Sequence, residues 1–210
     1  MFYDAIKNDH GLPHDPFKAL VAPRPIGWIT TVSKDAIINL APYSFFNAMA
    51  SNPHYVCFGS AGMKDSWANI EETGEFVCNL ATWDLREQMN TTSAHVPRTV
   101  DEMQLAGLTP SACRMVKPPR VKESPAVFEC THYQTVRLDG LNGEPHEYAI
   151  IVGKVVGIHI SDDYITAEGL FDTAKAMPIA RGGYHDYSVV RGDNTFSMTR
   201  PGMTEAQFAE

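Results

Sequence analysis

The stretch Ala126-Val-Phe-Glu-Cys-Thr-His-Tyr-Gln-Thr-Val-Arg-Leu138 decides the architecture. Ala126, Phe128, Cys130, Val136 and Leu138 fall on one face; Glu129, Thr131, Thr135 and Arg137 fall on the other. That period of two marks a long strand with one buried side. Close behind it, Tyr148-Ala-Ile-Ile-Val-Gly-Lys-Val-Val-Gly-Ile-His-Ile160 reads as a second long strand. Gly153 and Gly157 sit on its second face, where a bend or a close backbone approach would require them.

Upstream the same chemistry recurs in shorter pieces. Ile26 to Val32, Tyr43 to Ala48, Tyr55 to Ser60 and Phe76 to Ala81 are rich in β-branched and aromatic residues, and Ser51-Asn52-Pro53 makes a turn between two of them. Helices are few. Asp65 or Ser66 can cap one that runs to Thr73 and stops at Gly74. Thr82 can cap a second, with Leu85 and Met89 four apart. Thr99-x-x-Glu102 has the form of a capping box, followed by Met103 and closed by Gly107. Six or more strands with short helical inserts do not make a βαβ alternation. The expected fold class is therefore all-β dominated, an antiparallel barrel whose closure removes exposed edges.

Bulk properties narrow the function. The chain has 210 residues, a hydrophobic content of 44% and a net charge of −8. That composition excludes disorder as the main state, and the acidic balance argues against nucleic-acid or polybasic membrane partners. No apolar run approaches a membrane span, and the first fifteen residues have neither a basic start nor an apolar core of the signal-peptide kind. Cys57, Cys78, Cys113 and Cys130 are widely spaced in mostly apolar surroundings, which suits reduced thiols and a cytoplasmic location. One domain over 1–210 is expected, with arms of about a dozen residues at each end.

Several site types are missing. There is no G-x-S-x-G elbow and no G-x-G-x-x-G dinucleotide loop. His10 and His14 are separated by Pro13 in an arm, and the other histidines show no metal-ligand spacing, so no metal is expected. Gly59-Ser-Ala-Gly-Met-Lys-Asp-Ser66 stands apart, because it follows a strand and opens a helix. Inward-turned N–H groups, the positive helix start, Lys64 and the hydroxyls of Ser60 and Ser66 together suit a phosphate; a plain capped turn with a surface lysine is the competing account. In Asn39-Leu-Ala-Pro-Tyr-Ser-Phe-Phe-Asn47, a strand would place Tyr43, Phe45 and Asn47 on one face and Ser44 and Phe46 on the other. Such a strand can line a pocket for a planar polar ring or simply belong to the core. Trp28 and Thr30 share a face of the first strand, and Arg181 lies beside the flexible Gly182-Gly183 turn.

Taken in order, these segments resemble the flavin reductase-like family, the FMN-binding split barrels. The stretches that carry the resemblance are Pro23 to Val32, Asn39 to Asn47, Ser51 to Pro53, Lys64 to Ser66 with Asn69 to Asn79, Ala106 to Pro110, Val121 to Cys130, Gly153 to Gly157 and Ala180 to Tyr184. It spans roughly residues 13–200. The resemblance implies a Greek-key split β-barrel, a homodimer and one FMN per subunit near the dimer interface. It assigns Ser44, Phe45 and Asn47 to the strand that meets the flavin. Lys64, Asp65 and Ser66 become the phosphate or ribityl grip, with Trp28, Thr30 and Asn39 flanking the ring. Arg181 reaches either the cofactor or the partner subunit. Ser66 departs from the threonine usual at that place but keeps the hydroxyl.

The activity implied first is NAD(P)H-dependent flavin reduction. A flavoredoxin-like electron carrier fed by a protein donor and a flavoprotein oxygenase are the alternatives, and a separate oxygenase or an electron-transfer protein is the kind of partner these activities imply. Hydride transfer to a flavin needs stacked rings and partial exclusion of water, so no side chain is named as a catalytic acid or base.

Overall fold

The computed structural model describes residues 1–202, so most of the C-terminal arm lies outside the described residues. Twelve strands order the described residues: β1 Arg24–Pro25, β2 Gly27–Val32, β3 Ile38–Tyr43, β4 Phe46–Ser51, β5 His54–Ala61, β6 Glu75–Leu80, β7 Pro110–Ser111, β8 Arg120–Val121, β9 Ala126–Asp139, β10 Pro145–Ile160, β11 Ile179–Arg181 and β12 Tyr187–Val189. Between them lie α1 Phe17–Leu20, α2 Asp65–Thr73, α3 Arg86–Thr91, α4 Glu102–Leu105 and α5 Thr173–Ala176.

Seven strands form one antiparallel sheet in the order β3-β2-β6-β9-β10-β5-β4. Its two edge strands, β3 and β4, are consecutive in the chain and separated only by Ser44 and Phe45. That short connection rolls the sheet into a barrel, and the Gly59 amide donates to the Phe45 carbonyl at 2.7 Å, which ties the corner to β5. A single strand from Tyr43 to Ala48 is therefore not what forms. The chain turns at Ser44–Phe45 to leave β2 for β5, and Tyr43 and Phe45 belong to no common strand face. The neighbours β2–β6 and β5–β10 are far apart in sequence, the crossovers of a Greek-key barrel.

The long strands form where expected, β9 and β10 pairing over most of their length. However, β9 does not have the single buried side expected: Val127, Glu129 and Cys130 are all buried where β6 flanks it, and Val136 and Leu138 are exposed beyond that neighbour. The pairing slips between Val152 and Gly153 and again between Val155 and Gly157, where the glycines accommodate the bulges. Strand β2 is buried on both faces. Ile29 belongs to the barrel interior with Tyr43, Phe58, Phe76 and Ile151, closed at one end by Trp67 and Ile70 of α2. Trp28 belongs to an outer layer with Leu40, Met89, Met103 and Ile179.

Three helix starts differ from the sequence reading. Lys64, rather than Asp65 or Ser66, is the N-cap of α2, since both of those residues already lie in its first turn. Asp101, rather than Thr99, caps α4, its carboxylate accepting from the Met103 and Gln104 amides at 2.8 and 3.1 Å. A carboxylate directly before the first turn outcompetes a hydroxyl two residues further out. Thr82 bridges to Pro178 instead of capping α3, which starts after Leu85. No helix among the described residues is long and apolar enough to cross a membrane.

Candidate functional site

A cavity of about 730 Å³ opens where the Ser44–Phe45 corner meets the start of α2. This is a cofactor-sized space. Eight residues singled out in the sequence line it: Asn39, Tyr43, Ser44, Phe45, Lys64, Asp65, Ser66 and Arg181. The floor comes from β3 and β5, one wall from α2, and the rim from α1, the 92–96 loop and Tyr184.

The start of α2 is built to receive an acceptor. Lys64 occupies its N-cap with extended backbone, and no side chain caps the helix. The first N–H groups of a nine-residue helix thus lack a side-chain acceptor at the cavity wall. Ser66 is 1% exposed, and its Oγ accepts from Asn39 Nδ2 at 2.8 Å. Because that bond uses a lone pair, the Ser66 O–H remains a donor. Asn39 Nδ2 also donates to Thr31 Oγ1 at 3.1 Å, and Asn69 Nδ2 reaches the same hydroxyl at 3.0 Å. Arg98 closes this chain of contacts, donating to Asn69 Oδ1 at 2.9 Å and lying 3.7 Å from the Asp65 carboxylate. Arg98 also pairs with Glu72 at 3.3 Å, so one guanidinium lies between the two carboxylates and partly offsets Asp65, the one negative group on the first turn of α2. No sequence pattern pointed to it, because the contact joins a loop to a helix some thirty residues away.

Three more groups shape the cavity. The Tyr43 hydroxyl is buried beside the Ser60 and Ser66 hydroxyls, without hydrogen-bond geometry to either. Burial pushes its ionisation above the ordinary phenol value, so it stays an O–H donor. Glu102 is 6% exposed and accepts from the Leu40 amide at 3.1 Å. Burial raises its carboxyl above the usual range against that bond, and Asp65 and Asp101 add to the rise. Arg24 donates to the Lys18, Val21 and Gly182 carbonyls and stands 5.9 Å from the Phe45 ring. Desolvation, and then the Arg181 charge, lower its ionisation. With those donors spent on backbone, Arg24 holds the rim together.

Four other residues singled out in the sequence do not line the cavity. Trp28 is fully buried in the outer layer, its indole N–H donating to Thr92 Oγ1 at 2.9 Å. Thr30 lies on the same face of β2 and accepts from Asn79 Nδ2 at 2.9 Å. Strand alternation turns both away from the barrel interior. The Ser60 hydroxyl donates to the Gly62 carbonyl at 2.9 Å, and Asn47 lies on exposed β4 with its Oδ1 accepting from the Ala48 amide. Arg181 lines the cavity, stacks 4.5 Å from the Tyr187 ring centre and donates to the Tyr184 carbonyl.

The flavin reductase like domain matches residues 20–181. This chain belongs to the flavin reductase-like family. An uncharacterized protein of Aquifex aeolicus is 35% identical over 179 residues, 83% of this chain and 88% of the relative. The crystal structure of nitrilotriacetate monooxygenase component B from Bacillus cereus superposes with a TM-score of 0.84 at 29% identity, over 94% of this chain and 98% of that one. The Desulfovibrio vulgaris flavoredoxin shares the fold, with a TM-score of 0.74 at 17% identity, over 87% of this chain and 93% of that one. The architecture is the split barrel of these flavin reductase-like proteins.

Proposed function

We propose that this family member binds FMN in the corner cavity and reduces it with NAD(P)H. The observation that carries the reading is the start of α2: uncapped N–H groups, Lys64 at the cap and a Ser66 hydroxyl oriented by Asn39. Together they suit a phosphate. The buried, unpartnered Tyr43 hydroxyl fits a polar ligand atom in the same space. Flavin, when bound, supplies a ring that accepts hydride.

The chain's own residues do the rest. Phe45 and the backbone at Gly59 form an apolar wall for a planar ring. Arg24 and Tyr184 hold the rim that limits water. Arg98 keeps the Asp65 charge from opposing a phosphate. Trp28, Thr30 and Ser60 act as positioning residues behind the wall, Trp28 by fixing Thr92 and Ser60 by fixing Gly62. A homodimer is part of the proposal. Met49, Tyr133, Val136 and Leu138 leave apolar surface exposed on β4 and the far half of β9, and a second copy would cover it. The similarity to nitrilotriacetate monooxygenase component B supports a separate oxygenase as the consumer of reduced flavin.

Anaerobic rapid mixing of the flavin-loaded protein with NADH and with NADPH tests the activity. Loss of oxidised-flavin absorbance with either nucleotide is the expected result. Reduction by dithionite alone would overturn the reductase reading in favour of an electron carrier.

A further inference from the structure

A second convergence of donor atoms lies away from the cavity. Cys113 follows β7, Glu129 is on β9 and His159 is near the end of β10; their Sγ, carboxylate and imidazole atoms all lie within 4.8 Å of one another. None of the three lines the flavin-family cavity.

Glu129 is 1% exposed. Its Oε2 accepts from the Met115 and Val116 amides at 2.5 and 3.2 Å, and its Oε1 from the Arg114 amide at 2.9 Å. The same Oε1 faces His159 Nε2. The loop after Cys113 therefore wraps a buried carboxylate and holds it beside an imidazole and a thiol. Gly157 permits this approach, because a Cβ there would come within 3.2 Å of Glu129 Cδ and 3.3 Å of Met115 Cγ.

We propose that Cys113, Glu129 and His159 form a three-ligand site for a divalent cation of the zinc class. One sulfur, one nitrogen and one oxygen are the donors such a cation takes, whereas magnesium and calcium prefer all-oxygen sets. The backbone amides on Oε2 orient the carboxylate as outer contacts orient metal ligands. Cys113 and His159 are only partly buried, which gives the ion an entry path and leaves a fourth position for water. Binding forms the metal–sulfur bond and releases the Cys113 thiol proton to solvent, so charge and atoms balance. The ion would tie the loop between β7 and β8 to the β9–β10 pair.

The test titrates chelator-treated, flavin-free full-length protein with Co²⁺, so that no flavin band overlaps the region read. One Co²⁺ per chain is expected, with the near-ultraviolet thiolate-to-cobalt absorption, and Zn²⁺ should displace it. Cys113→Ser should abolish that absorption, and His159→Gln should weaken binding by roughly tenfold to a hundredfold. Cys57→Ser removes the other half-buried thiol and should change nothing. Circular dichroism and FMN affinity report whether each variant is folded. Absence of the absorption in the wild type, its survival in Cys113→Ser or its loss in Cys57→Ser would overturn the proposal.

Discussion

The Asn39 side-chain amide donates to the Ser66 hydroxyl over 2.8 Å, joining β3 to the first turn of α2. This bond decides which way the Ser66 proton points. It also makes Asn39 a positioning residue for the proposed phosphate grip. Asn39→Ala should weaken FMN binding and lower stability by about 1–3 kcal/mol, since the variant strips two buried hydroxyls of a donor. Ser66→Thr should keep both properties near wild type and Ser66→Ala should lose affinity. Calorimetric FMN titration together with urea unfolding separates the two effects.

Lys64 tests the charge of the grip. Lys64→Ala should cost roughly 1–3 kcal/mol of FMN binding, the range for a lost charge-assisted hydrogen bond. Wild-type affinity should fall as salt rises, and that dependence should shrink in the variant. Dissociation constants at two salt concentrations give both readings. Unchanged affinity and salt slope would return the loop to a plain helix start.

Arg98 makes the prediction least expected from the sequence. It lies 3.7 Å from Asp65 and donates to Asn69 at 2.9 Å. Arg98→Ala should leave the Asp65 charge unopposed and weaken FMN by a few fold to about tenfold while sparing riboflavin. Asp65→Asn in the Arg98→Ala background should recover most of the loss.

Glu102 sets a pH dependence. Its carboxyl ionises above the ordinary value because it is buried, so the native state holds that proton more tightly than the unfolded chain. Its contribution to stability is therefore full at low pH and declines as pH rises from the unfolded carboxylate value through the raised native one. Glu102→Gln keeps an acceptor for the Leu40 amide and removes the titration. The stability difference, variant minus wild type, should grow more favourable to the variant across that window. Thermal melts at several pH values measure it, and a flat difference would contradict the assignment.

How much was legible beforehand divides along physical lines. The strands over 126–138 and 148–160 were readable from their β-rich composition and period of two, but the buried face of 126–138 was not. Val127 and Glu129 are buried while Val136 and Leu138 are exposed, because β9 runs on past its last β6 partner at Thr131. The helix ending at Gly74 was readable because its stop is a left-handed glycine with φ 75°. The corner at Ser44–Phe45 was not, since β-rich sequence on both sides of it looks like one strand. Trp28 and Thr30 were misplaced relative to the cavity for a related reason. A strand buried on both faces carries no polarity to say which face is inner. Arg98, and the meeting of Cys113 with Glu129 and His159, depend on contacts between distant segments that no local spacing encodes.

The central claim is that the start of α2 holds the phosphate of FMN. Calorimetric titration of the flavin-free protein with FMN and with riboflavin tests it most directly. One FMN per chain should bind, with riboflavin weaker by at least about tenfold, the loss expected when a charge-assisted phosphate contact is removed. Equal affinity for the two would contradict the account, because the uncapped helix, Lys64 and Ser66 would then be gripping nothing.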